Sequence, residues 1–161
     1  MEKHVLTPLQ ALEKARAYCA RQERAHQEVR DKLYSWGLHK EEVEQLLVRL
    51  IGEDLLNEQR FAEAYALGKH RQKGWGRAKI RQGLVARRVS APCIRQALNA
   101  LDPEEYQEEL ERLVRKRLRM ERSRDPYVRR NRTIAYLIGR GYEADLVAAT
   151  VDGTIAGPRE H

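Results

Sequence analysis

Residues 29–47, VRDKLYSWGLHKEEVEQLL, set apolar side chains at Val29, Leu33, Leu38, Val43 and Leu47, with Gly37 just before the middle one. The same ladder returns at Ile80, Leu84, Val89, Ile94 and Leu98. It returns again at Leu137, Tyr142, Val147 and Val151, with Thr133 in the place of Val29 and Ile80. The last four members are always spaced by five, five and four residues, and the ladders are offset by 51 and then 53 residues. Self-similarity at such a period is the mark of one supersecondary unit duplicated and stacked. Gly37-Leu38 and Gly141-Tyr142 put a glycine at the corner, where a left-handed backbone ends a helix at little cost. Each ladder therefore reads as helix, corner, helix.

Outward from the ladders the chain reads as helical throughout. Thr7-Pro8 is a cap with proline at the first helical position, opening a helix to about Arg24 with Leu9, Leu12, Ala15 and Cys19 as its apolar stripe. Helices follow at about His26 to Trp36 and Lys40 to Ile51, the latter stopping at Gly52. Asn57 caps the next, which turns Phe61, Ala62, Tyr65 and Ala66 to one side as core until Lys73-Gly74-Trp75-Gly76 breaks it. Arg77 to Arg87 and Ala91 to Leu101 make the next pair, with Ser90 as cap. Asp102-Pro103-Glu104-Glu105 opens a long helix to about Arg122, because acids in the first turn suit the helix dipole. Asp125-Pro126 starts another, ending near Gly139 to Gly141, and Glu143 to Val151 completes the third unit. No segment alternates with period two. The expected fold is all-α, a tandem array of three three-helix repeats (residues 1–53, 54–101 and 102–153), elongated and curved. Residues 154–161 read as a frayed tail.

Of the 161 residues, 42% are hydrophobic and 34% charged, a balance that suits helices with one apolar stripe and wide wet faces. No run approaches the roughly 20 apolar residues of a membrane span. Met1 to Pro8 lacks the apolar core of a secretory signal. The expected location is the cytoplasm. Cys19 and Cys93 read as small apolar fillers in a reducing cytosol rather than a bridge.

The net charge of +7 is placed unevenly. Residues 1–50 carry nine basic and eight acidic side chains, residues 51–101 ten and four, and residues 102–161 twelve of each. From Ala64 to Leu101 there is no acid, and Lys69, Arg71, Lys73, Arg77, Lys79, Arg81, Arg87, Arg88 and Arg95 crowd that stretch. A second basic run, Arg112 to Arg132, follows the acidic block Asp102 to Glu111. Such alternation makes strong local fields and points to a polyanion or to a protein surface of opposite pattern.

Lys69, Arg71, Lys73, Arg77, Lys79, Arg81, Arg87 and Arg88 are the expected contacts to phosphates or to acidic partner groups. Trp75 either presents its ring to a base or partner, or packs over the repeat junction. Arg115, Arg119, Arg129, Arg130 and Arg132 either form a further contact surface or pair with Glu104 to Glu111. Signals for an enzyme are poor. Gly74 and Gly76 lack the GK[ST] ending of a phosphate loop, and His4, His26, His39, His70 and His161 are scattered, with no HExxH. Glu53-Asp54 has no partner histidine. No catalytic residue, metal or cofactor is expected.

Arg60-Phe61-Ala62, Lys73-Gly74-Trp75-Gly76, Ile80, Leu84 and Ile94 to Leu98 closely resemble the central repeat of the RecX family, the regulators of the RecA recombinase. The first unit resembles that family through Ala17 to Arg24, Glu28-Val29, Lys32-Leu33 and Gly37-Leu38, with Ala25-His26 standing where the family often has Ser-Arg. The third resembles it through Tyr136-Leu137-Ile138, Arg140-Gly141 and Tyr142. The resemblance implies a non-enzymatic, monomeric protein without a cofactor that binds RecA along the groove of its filament on DNA. There it would block filament growth and suppress ATP turnover and strand exchange. Direct contact with single- or double-stranded DNA stays open. The runner-up reading is a sequence-tolerant DNA-binding module, since helix–corner–helix units superficially resemble helix-turn-helix elements. A scaffold for another client is a third.

Overall fold

The computed structural model describes residues 5–157, and among these every regular element is an α-helix. They are α1 (Pro8–Arg21), α2 (His26–Ser35), α3 (Lys40–Gly52), α4 (Glu58–Lys73), α5 (Arg77–Ala86), α6 (Ala91–Asn99), α7 (Pro103–Met120), α8 (Pro126–Gly139) and α9 (Ala144–Ala156). The tandem three-helix organisation is thus α1–α3, α4–α6 and α7–α9.

The five-five-four spacing has a local physical cause. At the end of α2, the Gly37 N–H donates to the Tyr34 carbonyl (3.0 Å) and the Leu38 N–H to that of Leu33 (3.4 Å). The end of α5 repeats the pair, Arg88 to Val85 (2.9 Å) and Val89 to Leu84 (3.1 Å). The end of α8 repeats it again, Gly141 to Ile138 (2.9 Å) and Tyr142 to Leu137 (3.2 Å). This is the Schellman motif, which needs a positive φ at its corner residue and brings together two apolar positions five apart. The corner angles are 87° at Gly37, 58° at Arg88 and 101° at Gly141. The outer apolar residue then serves the next helix, since Leu38, Val89 and Tyr142 precede the caps His39, Ser90 and Glu143. Each stands five residues before Val43, Ile94 or Val147, the register of a hydrophobic staple. The last step of four is one helical turn. Every rung of all three ladders is buried, Thr133 included. Thr133 keeps the shape of a β-branched filler, although its Oγ1 has no hydrogen-bond partner among the described residues.

By packing, the described residues through Ala64 join Leu84–Ala97 in one compact unit, and Tyr65–Gly83 joins the residues from Leu98 onward in a second. The first unit is built on Leu6, Ala11, Leu12, Ala15, Cys19 and the ladder of α2 and α3. Thr7 and Gln10 exchange side-chain-to-backbone hydrogen bonds (3.2 and 3.0 Å) and so cap α1. Leu9, expected in its stripe, is 77% exposed and Ala11 takes the buried place. At 3.6 residues per turn Leu9 lies roughly 100° from the centre of the set Ala11, Leu12, Ala15 and Cys19. The helix stops at Arg21, before the expected Arg24, because Arg24 folds back. Its Nε donates to the Tyr18 carbonyl (3.0 Å) and its guanidinium sits 3.7 Å from that ring's centre. Ala25 offers α2 no side-chain cap. Cys19 is buried and free, and Cys93, also free, lies 3.7 Å from a Glu58 carboxylate oxygen.

His26 opens α2 with its Nε2 buried and unpartnered among the described residues. Burial pushes its pKa below the ordinary value, and Arg30 adds to this, while Glu58 and Glu44 oppose it. The folded state therefore prefers neutral imidazole, whereas the unfolded chain takes up a proton near pH 6.5. Stability contributed in this way is complete above that pH and is lost as pH falls below it. Thermal melts of the wild type and of His26→Gln between pH 7.5 and 5 check this: the variant is expected to lose less stability on acidification. An equal loss in both proteins would refute the assignment.

In the second unit the rings of His70, Tyr106 and Tyr142 are buried together, with centroids of neighbouring rings 5.1 Å apart. The Tyr106 hydroxyl donates to Glu143 (3.0 Å) and accepts the Arg77 N–H (3.0 Å). The Gly76 N–H donates to the Arg140 carbonyl (2.9 Å) and the Ala78 N–H to that of Gly141 (3.0 Å). The first two N–H groups of α5, those of Arg77 and Ala78, are thus satisfied by groups distant in sequence. The end of the chain differs from expectation too. Helix α9 continues through Thr154, Ile155 and Ala156, with the Thr154 hydroxyl donating to the Thr150 carbonyl (2.8 Å). The remainder of the expected tail, 158–161, lies outside the described residues, as do His4 and His161. No described helix is long and apolar enough to cross a membrane.

Candidate functional site

The broken segment between α4 and α5 is held from below by His70. Its ring Nδ1 lies 3.0 Å from the Trp75 carbonyl, which can only accept, so Nδ1 carries the proton. That bond sets the Lys73-Gly74-Trp75-Gly76 turn and brings three of the expected site residues together. Lys69 from the last turns of α4 places its Nζ 5.1 Å from the centre of the Trp75 ring, and Lys79 from the first turn of α5 places its own at 4.9 Å. Lys69 also reaches the Tyr65 ring at 5.6 Å. Trp75 is half-buried, with its ring beneath two ammonium groups. Arg81, two residues beyond Lys79 and so on another side of α5, is exposed. Among the described residues no acid pairs with Lys69, Lys73, Lys79 or Arg81.

Other expected contacts prove to be engaged within the protein. Arg71 donates to Glu105 through Nε (2.6 Å) and Nη2 (3.1 Å), and the guanidinium holds that carboxyl below the usual carboxylate range. Arg77 lies over the Tyr106 ring (3.9 Å) and 3.5 Å from Glu143. Arg130 forks onto Asp152 (2.6 and 3.0 Å) and depresses its pKa. Arg129 donates to the Leu118 carbonyl (2.6 Å), and Arg132 stands 4.0 Å from Glu121. Of the five expected contacts in that second run, Arg115 and Arg119 are exposed cations without an acidic partner among the described residues, as are their neighbours Lys116, Arg122 and Arg124. The acids that Arg130 and Arg132 meet are Asp152 and Glu121, outside Glu104 to Glu111. In the first unit, Arg87 faces Glu28 at 3.7 Å, and Arg88 is exposed at the end of α5.

Sequence reading missed one gathering of charge. Arg71, Lys73, Arg112, Lys116, Arg117 and Arg140 line a cavity of about 250 Å³ walled by α4, α7 and α8. Arg140 donates to the Lys73 carbonyl, closing the end of α4. No spacing rule joins residue 73 to residue 140, so nothing local signals it. Among the described residues no three His, Cys, Asp or Glu side chains gather as metal ligands would.

Three family descriptions cover the chain in order. The first three-helix domain of RecX matches residues 11–50, the second 57–98 and the third 104–151. A regulatory protein RecX from Mycobacterium sp. (strain KMS) is 31% identical over 157 residues, spanning 92% of this chain and 85% of its own. The chain belongs to the RecX family. A regulatory protein RecX from Streptomyces lividans is 29% identical over 148 residues, covering 89% of this chain and 79% of its own length. The crystal structure of RecX from Lactobacillus salivarius superposes with a TM-score of 0.83 at 21% identity. It spans 90% of this chain and 94% of that one, and shares the all-α tandem fold.

Proposed function

We propose that this RecX-family chain is a non-enzymatic regulator of RecA, which binds the RecA–DNA filament and limits its extension, ATP hydrolysis and strand exchange. Membership of the family across all three repeats carries this reading. The acid-free stretch from Ala64 to Leu101 supports it with a surface for a polyanionic target, in which Lys69, Lys73, Lys79 and Arg81 stand without acidic partners. The protein acts as a monomer in the cytoplasm, where such filaments form. To test this, purified protein is added at substoichiometric ratio to RecA, single-stranded DNA and ATP. Hydrolysis falls and filaments shorten; unchanged hydrolysis and length refute the proposal.

The lysine-flanked Trp75 favours a second reading, direct sequence-tolerant binding to nucleic acid, because aromatic rings beside cations suit stacked bases and phosphates. Tight binding to bare DNA with a steep salt dependence, and none to RecA, selects it.

A further inference from the structure

The three Schellman corners are built alike, but their corner residues differ. Two are glycine, as the motif prefers, and the middle one is Arg88 at φ 58°. A side chain in that region meets its own backbone, which is why glycine serves there. The one other non-glycine residue with positive φ among those described is Asp54, at φ 59°. It is explained twice: aspartate tolerates this conformation, and its carboxylate pairs with Arg60 (3.1 Å). Arg88 has no such account. Its backbone N–H bonds to Val85 as a glycine's would, its side chain is exposed, and among the described residues its guanidinium meets no acceptor. An arginine kept where the fold asks for glycine, and idle inside the molecule, points outward.

We infer that Arg88 holds the α5–α6 corner for the sake of its guanidinium, which contacts a phosphodiester oxyanion of the filament's DNA. The planar fork matches a phosphate in two hydrogen bonds, and the acid-free sequence around it leaves no internal competitor close in the chain. The inference rests on the filament reading above and gives it one defined contact.

Arg88→Gly tests it through two readouts that move in opposite directions. Relief of the corner raises the melting midpoint by roughly 1–4 °C. Loss of the contact raises the concentration needed for half-inhibition of RecA ATP hydrolysis by about tenfold. Binding to a fluorescent single-stranded oligonucleotide weakens in parallel. Arg95→Ala, which removes one exposed charge from α6, serves as the control and has a smaller effect on both functional readouts.

A less stable Arg88→Gly protein would overturn the inference, because the side chain would then be structural. A more stable variant with undiminished inhibition and DNA binding would do the same, as would a loss no greater than that of Arg95→Ala. Loss confined to the RecA filament, with oligonucleotide binding intact, overturns the phosphate assignment in favour of an acidic protein surface. If the wild type binds oligonucleotide but leaves RecA untouched, the filament reading fails and the oligonucleotide arm alone judges Arg88. A wild type that binds neither overturns both.

Discussion

Replacing Gly76 with alanine lowers the melting midpoint by about 6–12 °C. The α-carbon of Gly76 lies against the backbone of the α8–α9 corner, and a β-carbon there would sit 2.5 Å from both the Gly141 oxygen and the Tyr142 nitrogen. Side chains give way under such pressure, but backbone held by its own hydrogen bonds does not. The same peptide groups carry the bonds from Gly76 to Arg140 and from Ala78 to Gly141, so relief of the clash stretches both. Overpacking of this kind costs about 3 kcal/mol, and each kcal/mol moves the midpoint of a chain this size by roughly 2–4 °C. Gly153→Ala is the matching control. It lies inside α9 with open space where its β-carbon would go, so alanine's helix propensity stabilises it by about 0.5–1 kcal/mol. Melts of the two variants beside the wild type check the contrast. A Gly76→Ala protein as stable as its parent would remove this backbone contact from the account of the fold.

Reversing Lys69, Lys79 and Arg81 together to glutamate abolishes inhibition of RecA by this chain while leaving its helicity intact. These three are the cations around Trp75 and along α5 that no acid engages, so their charge is available to a partner. The set differs from one drawn on charge alone. Arg77 and Arg87 also lie in the acid-free stretch, but Arg77 covers Tyr106 beside Glu143 and Arg87 faces Glu28. Placing glutamate at either position would set like charges together and damage the fold, confounding any loss of activity. The triple reversal forfeits three cation–π contacts, Lys69 with Trp75 and Tyr65 and Lys79 with Trp75, worth about 0.5–1 kcal/mol each at exposed sites. ATP hydrolysis by RecA over a titration of the variant, with circular dichroism alongside, checks the outcome. Inhibition at wild-type concentrations would exclude these cations from the mechanism. Should the glutamates unfold the chain, the Lys69→Gln, Lys79→Gln, Arg81→Gln protein asks the same question without repulsion.

The contrast between these two sets of cations shows how far sequence reading reaches. Charge along the chain locates a basic segment, yet the partners that silence part of it lie far away: Arg71 meets Glu105 across 34 residues, and the Arg77 guanidinium stands 3.5 Å from Glu143 at the start of α9. Leu9 shows the same limit at close range. Its spacing admits it to the apolar stripe of α1, but only the packing of Ala11 against α2 and α3 decides which flank of that stripe is covered.

The ladders were legible because every step in them is local. Five residues separate the two apolar positions of a Schellman corner, five more the two of a staple, and four make one turn, so side-chain type at those spacings encodes the helices and their corners directly. Which cations remain free, how α5 is capped, and where Gly76 must stay bare depend on surfaces that meet only after the chain has folded. Contacts set by backbone geometry within a few residues are written in the order of the letters; those made between distant segments exist only in three dimensions.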